Sequence, residues 1–282
     1  MGELKVALLQ LYAYGFDQNQ NFEKAEYYIR LAKKMQADMV LLPEMWNIGH
    51  SSLNGNSWDC PEIDANLLSD WSRYSIEINS PFLNEFRRIA SELEMGIGIS
   101  FLEYHPEGPK NSFLLIDRFG RDVLHYSKVH INEINLERFC MRGVEFPVGL
   151  LDTKFGKVKV GALIGRDINY PEAARILRLK GAELILLPHS CDLDYKPIIY
   201  TRSYENQIGF AVCNYAGHTY GYSFGVSGIV TNEALDLQEM EMISSGDTEG
   251  IYIASFNLPL LKKYREMYPL NRQVKLYNEI AN

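Results

Sequence analysis

Strand-like apolar runs alternate with amphipathic segments along the whole chain, and that alternation restricts it to the α/β class. Residues 5–11, 39–43, 96–102, 112–117 and 123–127 have the length and the β-branched or aliphatic content of strands. Phe22, Ala25, Ile29, Ala32 and Met35 recur at helical spacing, which predicts a helix over 21–36 with one buried face. A second helix is predicted over 81–95, with Pro81 suited to the first turn, where no N–H is needed. The later sequence repeats the pattern: strand 157–164, helix 171–179, strand 182–187, helix 197–207, strand 210–214, then strands at 225–230 and 250–256.

A helix between successive strands implies parallel pairing through right-handed crossovers, whereas 112–127 reads as a hairpin turned at Arg118-Phe119-Gly120. The β-structure is therefore mixed. Ten or more strands would make a very wide open sheet, so two packed sheets flanked by helices are expected. With 282 residues, 46% of them apolar and 23% charged, the chain can bury a sizeable core, and no fixed-period repeat, low-complexity tract or Gly/Ser linker divides it. One domain over 1–282 is the expectation. The stretch 262–282 reads as a polar tail with scattered Tyr and Leu, which either packs on a partner subunit or frays.

Charge and composition exclude several functions. A formal charge of -8 disfavours binding to phosphate backbones, so no nucleic-acid partner is expected. Residues 1–6 lead straight into a strand without the features of a signal peptide, and no apolar run approaches the roughly 18 residues of a membrane span. A soluble, cytoplasmic protein with no membrane partner is expected. Cys60, Cys140, Cys191 and Cys213 are too far apart for a zinc site and the six histidines form no HExxH pattern, so no metal is expected and the thiols read as reduced.

Three positions carry chemistry. Glu44 directly follows the apolar run 39–43, and a carboxylate there is a usable proton acceptor if burial raises its pKa. Lys128 is a cation at the end of another strand, 123–127. Taken singly, each is as well explained by a solvated loop charge. The block 158–175 is an apolar run, a sharp turn and a helix start, so it delivers residue 165 to the strand-end crevice where ligands of α/β proteins bind. That residue is Gly165, which presents nothing to react.

Together these blocks resemble the nitrilase superfamily of carbon-nitrogen hydrolases over nearly the whole chain. The resemblance rests on Leu42-Pro43-Glu44, on Tyr126-Ser127-Lys128-Val129-His130 and on 161–175, supported by 181–188, Glu205-Asn206 and Asn214. It implies a four-layer αββα sandwich, a homodimer or higher homo-oligomer paired through outer helices, and a small amide or N-carbamoyl substrate attacked by a cysteine thiolate, with no cofactor. Carried over, Glu44 is the general base and Lys128 the stabiliser of the tetrahedral intermediate, joined by the amide N–H of Arg166. Glu137, in Leu136-Glu137-Arg138-Phe139, corresponds to the second glutamate that positions substrate, with Glu133 a poorer candidate. Asp167 fits a cap or an anchor of the elbow. Trp46, His130 and Tyr170 lie beside matched residues, where they line a pocket or simply pack, and Cys191 follows the next strand end.

The departure from the family is Gly165, which stands where the resemblance places the nucleophilic cysteine. Neither glycine nor water substitutes for a polarisable sulfur, so negligible covalent catalysis is expected. Three readings stay open: a substitution in an otherwise competent hydrolase, a pseudoenzyme that binds an amide-like ligand or a partner protein without turnover, and a scaffold for subunit interaction. Cys191 is a relocated nucleophile only if its sulfur reaches the same point from a different backbone position. Residues 136–143 and 152–158 look most like the amidase and N-carbamoyl hydrolase branches. Arg166 fits either a partner for a substrate carboxylate or a surface ion pair, and Ile168 and Asn169 replace the arginines of N-carbamoyl-D-amino acid hydrolases.

Overall fold

A computed structural model describes residues 3–49, 69, 71–133, 136–190, 194–217, 222–230 and 240–280. The first strand, β1 (Leu4–Gln10), is apolar at nearly every position because both its faces are covered. Val6 and Leu8 pack into the seam between two sheets, while Ala7 and Leu9 face a helical layer. That layer begins with α1 (Gln18–Lys34), where the Asp17 side chain accepts from the amide of Gln20, and continues with α2 (Pro81–Leu93), capped by Ser80. Ala25, Ile29 and Ala32 of α1 and Leu83, Phe86 and Ile89 of α2 are the apolar stripes that meet the sheet.

The first sheet holds β1, β2 (Met39–Leu41), β3 (Gly96–Glu103), β4 (Lys110–Ile116), β5 (Asp122–Ser127) and β12 (Gly250–Phe256), in the order β12-β1-β2-β3-β4-β5. Its three consecutive strands β1, β2 and β3 are parallel, and the others pair antiparallel. The second sheet contains β6 (Val148–Thr153), β7 (Gly156–Ala162), β8 (Leu184–Pro188), β9 (Gly209–Cys213), β10 (Phe224–Val226) and β11 (Glu241–Ser244), in the order β11-β10-β9-β8-β7-β6. Here β7, β8 and β9 are the parallel set. Helices α3 (Pro171–Leu179) and α4 (Lys196–Asn206) make its crossovers, and α5 (Leu258–Met267) follows β12. The result is the expected α/β sandwich of two mixed six-stranded sheets flanked by helices, with β1, β2, β4 and β5 side chains meeting those of β7 and β8 in the central seam.

Some boundaries differ from the sequence expectation. The strand at 225–230 stops at Val226, because Gly228 turns the chain at φ +75°. β6 and β11 were not anticipated; β6 alternates buried and exposed residues and is held as one arm of a hairpin with β7. The stretch from 262 is not a simple polar tail: α5 starts ahead of it, with Leu258 and Leu261 buried and Asn257 as cap, and a 3-10 turn follows over Val274–Ile280. Among the described residues no helix is long and apolar enough to cross a membrane.

Candidate active site

The carboxyl ends of β2, β5, β7 and β8 converge at one end of the sandwich. At the first of them the chain leaves the sheet through Pro43, and Glu44 is fixed from both sides. Its amide donates to the carbonyl of His189 (3.4 Å) and its carbonyl accepts from the Tyr215 hydroxyl (2.6 Å). Met45 follows in the left-handed region at φ +50°, with its amide on Ser100 Oγ at 3.0 Å. Beyond β5, Lys128 donates its amide to the Asn111 carbonyl (2.8 Å). Glu137 sits on the 3-10 turn Leu136–Phe139, and its Oε2 accepts from the Asn132 amide at 3.0 Å.

These three side chains meet. Lys128 Nζ donates to Glu44 Oε1 at 2.8 Å and to Glu137 Oε1 at 2.7 Å. Asn111 Nδ2 bridges the same two oxygens at 2.7 and 2.6 Å, and Ser190 Oγ donates to Glu44 Oε2 at 2.7 Å. All three charged residues are at most 2% exposed. Burial alone would push the Lys128 ammonium down, but Glu137 and Glu44 outweigh it and hold the group above the usual lysine range, so it stays charged.

β7 supplies the fourth position. Gly165 is buried and adopts φ +45°, a conformation that costs other residues strain and glycine none. A Cβ built there would lie 2.8 Å from Glu44 Oε2 and 3.1 Å from Lys128 Nζ. The first distance is shorter than a side-chain carbon tolerates, so a side chain at 165 would push the Glu44 carboxylate aside slightly while lying against the ammonium. Asp167 anchors this turn: its Oδ2 accepts from Tyr126 Oη (2.6 Å) and the Ile164 amide (3.0 Å), and its Oδ1 accepts from the His130 amide (2.9 Å) and pairs with His130 Nδ1 (2.8 Å). Burial, then the Asp167 charge, raises the Tyr126 hydroxyl well above its ordinary value, so it remains a donor.

The remaining sequence candidates divide. His130 is half-buried and stacks on Tyr170 with ring centres 3.6 Å apart, so both brace the elbow from its outer side. Of the two readings left open for Trp46, lining a pocket or packing, its surroundings favour packing: it is fully buried in the core beneath α1, donates Nε1 to the Asn21 carbonyl and stacks on Tyr215. Arg166 is half-buried, with Nη1 on Asn132 Oδ1 at 3.1 Å rather than in a surface ion pair. Glu133 is exposed and pairs with Arg142 at 2.5 Å, away from the cluster. Cys191 lies outside the described residues. Cys140 packs beside the site against residues such as Met45, Ile48 and Trp71, and burial, then the Glu137 charge, pushes its thiol up and away from thiolate reactivity. Sequence reasoning missed Asn111 and Ser190. An amide at the polar start of an otherwise apolar hairpin strand was a weak signal for the first, and a hydroxyl two positions past Pro188 for the second.

Residues 5–266 match the carbon-nitrogen hydrolase family. This chain belongs to that family. The omega-amidase of Saccharomyces cerevisiae is 25% identical, over 96% of this chain and 93% of the yeast protein. The citrullinase of Francisella tularensis is 28% identical, over 100% of this chain and 99% of its own. Among solved structures, a carbon-nitrogen hydrolase from Helicobacter pylori superposes with a TM-score of 0.81 at 19% identity, covering 99% of this chain and 98% of that one, which carries the fold. This carbon-nitrogen hydrolase thus has amidase-type relatives and a buried Glu-Lys-Glu cluster at its strand ends.

Proposed function

We propose that this carbon-nitrogen hydrolase binds a small amide or N-carbamoyl compound at the Glu44, Lys128 and Glu137 cluster, and that Gly165 leaves it without a nucleophile. The observation that carries the reading is the Cβ position of residue 165, 2.8 Å from Glu44 Oε2 and 3.1 Å from Lys128 Nζ. A thiol there would lie against a base and an ammonium, the arrangement that nucleophilic catalysis needs. An omega-amidase and a citrullinase among the relatives support a terminal amide or ureido group as the target. Self-association through α3 and α4, where Ile176, Leu179 and Tyr204 are exposed, belongs to the same reading.

With a cysteine at 165 each step has its group. The thiol proton passes to Glu44 as the C–S bond forms, and Lys128 Nζ with the Arg166 amide receives the developing oxyanion. Glu44 then protonates the leaving nitrogen as the C–N bond breaks and ammonia departs. Water, deprotonated by Glu44, cleaves the thioester. Glu137 holds Lys128 in place throughout, at 2.7 Å. With glycine the first step has no electron pair to offer.

Ammonia release over a panel of amides and carbamoyl compounds tests this. No turnover by the chain as it stands and turnover by Gly165→Cys is the expected result, with a gain of several orders of magnitude. Turnover by the glycine form would overturn the missing-nucleophile reading. A folded but silent Gly165→Cys would replace hydrolysis with binding alone.

A further inference from the structure

We infer that Ser190 is a positioning residue for the base: its hydroxyl lets Glu44 take up and release a proton at Oε2 without losing a hydrogen-bond partner. The inference rests on the hydrolase reading above and goes beyond it by assigning the oxygen that carries the proton. The two oxygens of Glu44 are held by different chemistry. Oε1 accepts from Lys128 Nζ at 2.8 Å and from Asn111 Nδ2 at 2.7 Å, and the same two nitrogens hold Glu137. An ammonium and an amide nitrogen donate and do not accept, so a proton on Oε1 would face two N–H groups. Oε2 accepts from Ser190 Oγ at 2.7 Å and lies 2.8 Å from the Cβ position of residue 165, against 3.1 Å for Oε1. It is the oxygen nearer the point from which a thiol proton would come.

A hydroxyl both donates and accepts, and among the described partners of the Glu44 carboxylate only Ser190 brings one. With Glu44 ionised, Ser190 donates to Oε2. When the thiol proton moves to Oε2, the Ser190 hydrogen swings away about the Cβ–Oγ bond and the new O–H donates to Ser190 Oγ. The reverse rotation follows when that proton passes to the leaving nitrogen, so each change of state is met by turning one hydroxyl hydrogen between staggered positions. The backbone keeps the pair in register. The His189 carbonyl, one residue before Ser190, accepts from the Glu44 amide at 3.4 Å, and the His189 amide donates to the Cys213 carbonyl at 2.8 Å. The hydroxyl and the carboxylate are thus brought together across 146 residues of chain.

The test measures kcat and KM against pH in the Gly165→Cys enzyme, alone and combined with Ser190→Ala or Ser190→Thr. Losing the hydroxyl removes a donor from the carboxylate and makes it more basic. Ser190→Ala is therefore expected to move the acid limb of kcat/KM up by about one pH unit and to lower kcat roughly tenfold, with KM changed by less than about twofold. Ser190→Thr, which keeps the hydroxyl, should restore both. An acid limb that stays in place in Ser190→Ala, or a threonine form as impaired as the alanine form, would overturn the assignment. Alkylation by iodoacetamide of the thiol introduced by Gly165→Cys reads the same limb without any substrate, with the chain as it stands as the blank for its native thiols. If Gly165→Cys turns over no amide, the hydrolase reading falls, and the alkylation profile decides for Ser190: a limb that shifts in Ser190→Ala and returns in Ser190→Thr supports its role, and an unmoved limb ends it.

Discussion

At the end of the sandwich where β4 turns into β5 and β6 into β7, charges pair at the rim with solvent-reaching cations: Lys154 with Asp38 at 2.7 Å and Arg118 with Asp152 at 2.8 Å, the cations 52% and 29% exposed and the carboxylates 6% and 21%. At the opposite end Glu44, Lys128 and Glu137 are at most 2% exposed and share their hydrogen bonds, and Asp167, fully buried, is held by Tyr126, His130 and Ile164. The difference is one of purpose. Surface pairs contribute about 0–1 kcal/mol each and can be lost with little effect. Buried ions cost several kcal/mol of desolvation, and apolar residues of the same volume would often serve stability as well or better. A fold keeps such a cluster for chemistry or recognition, and its stability comes from the apolar seam between the sheets.

That contrast can be broken from either side. The largest effect on stability is expected from Lys128→Met, which leaves two carboxylates facing each other out of water; urea denaturation should show a loss of about 3–5 kcal/mol. A loss below 1 kcal/mol would mean that the cluster is solvated after all. Alkaline pH should give a smaller effect, to which the buried end contributes through two groups. Cys140 and Tyr126 have folded pKa values above their ordinary ones, so their contribution is intact below the unfolded values, about 8.5 and 10. It is then lost as pH rises beyond those values towards the folded ones, at up to about 1.4 kcal/mol per pH unit for each group. Lys128, also raised, adds no loss until the pH passes the usual lysine range. Thermal melts should therefore fall from about pH 8.5 upward, and a flat profile to pH 10 would contradict this burial. The smallest effect belongs to Lys154→Ala, expected to change stability by about 0–1 kcal/mol at the exposed end.

Much of this was legible before any coordinates. β1, β3, α1 and α2 follow from periodicity because each buries a face against a neighbour that demands it. Glu44, Lys128 and Gly165 were visible because each stands at the end of a strand-like run, where a charge or an absent side chain meets the strand-end crevice. Less was readable where long-range contacts decide. β6 holds its conformation through pairing with β7, and Asn111 acquires its role only when Glu44 and Glu137 are brought to it, 67 and 26 residues away in the chain. Trp46 sits two residues from the base and yet points into the core, because Met45 reverses the backbone between them.

The Asp167 tie has a consequence for how the protein comes together. Asp167 stands on the turn after β7 of one sheet, and Tyr126 and His130 come from the end of β5 in the other. Lys128 lies between those two, and its partner Glu44 is 84 residues earlier in the chain. Neither sheet alone supplies both the Glu-Lys-Glu cluster and the turn at Gly165, so an amide site there needs the two sheets together. A bound amide would then act as a clamp across the seam, resisting separation of the sheets by mass action rather than by any added contact within either one.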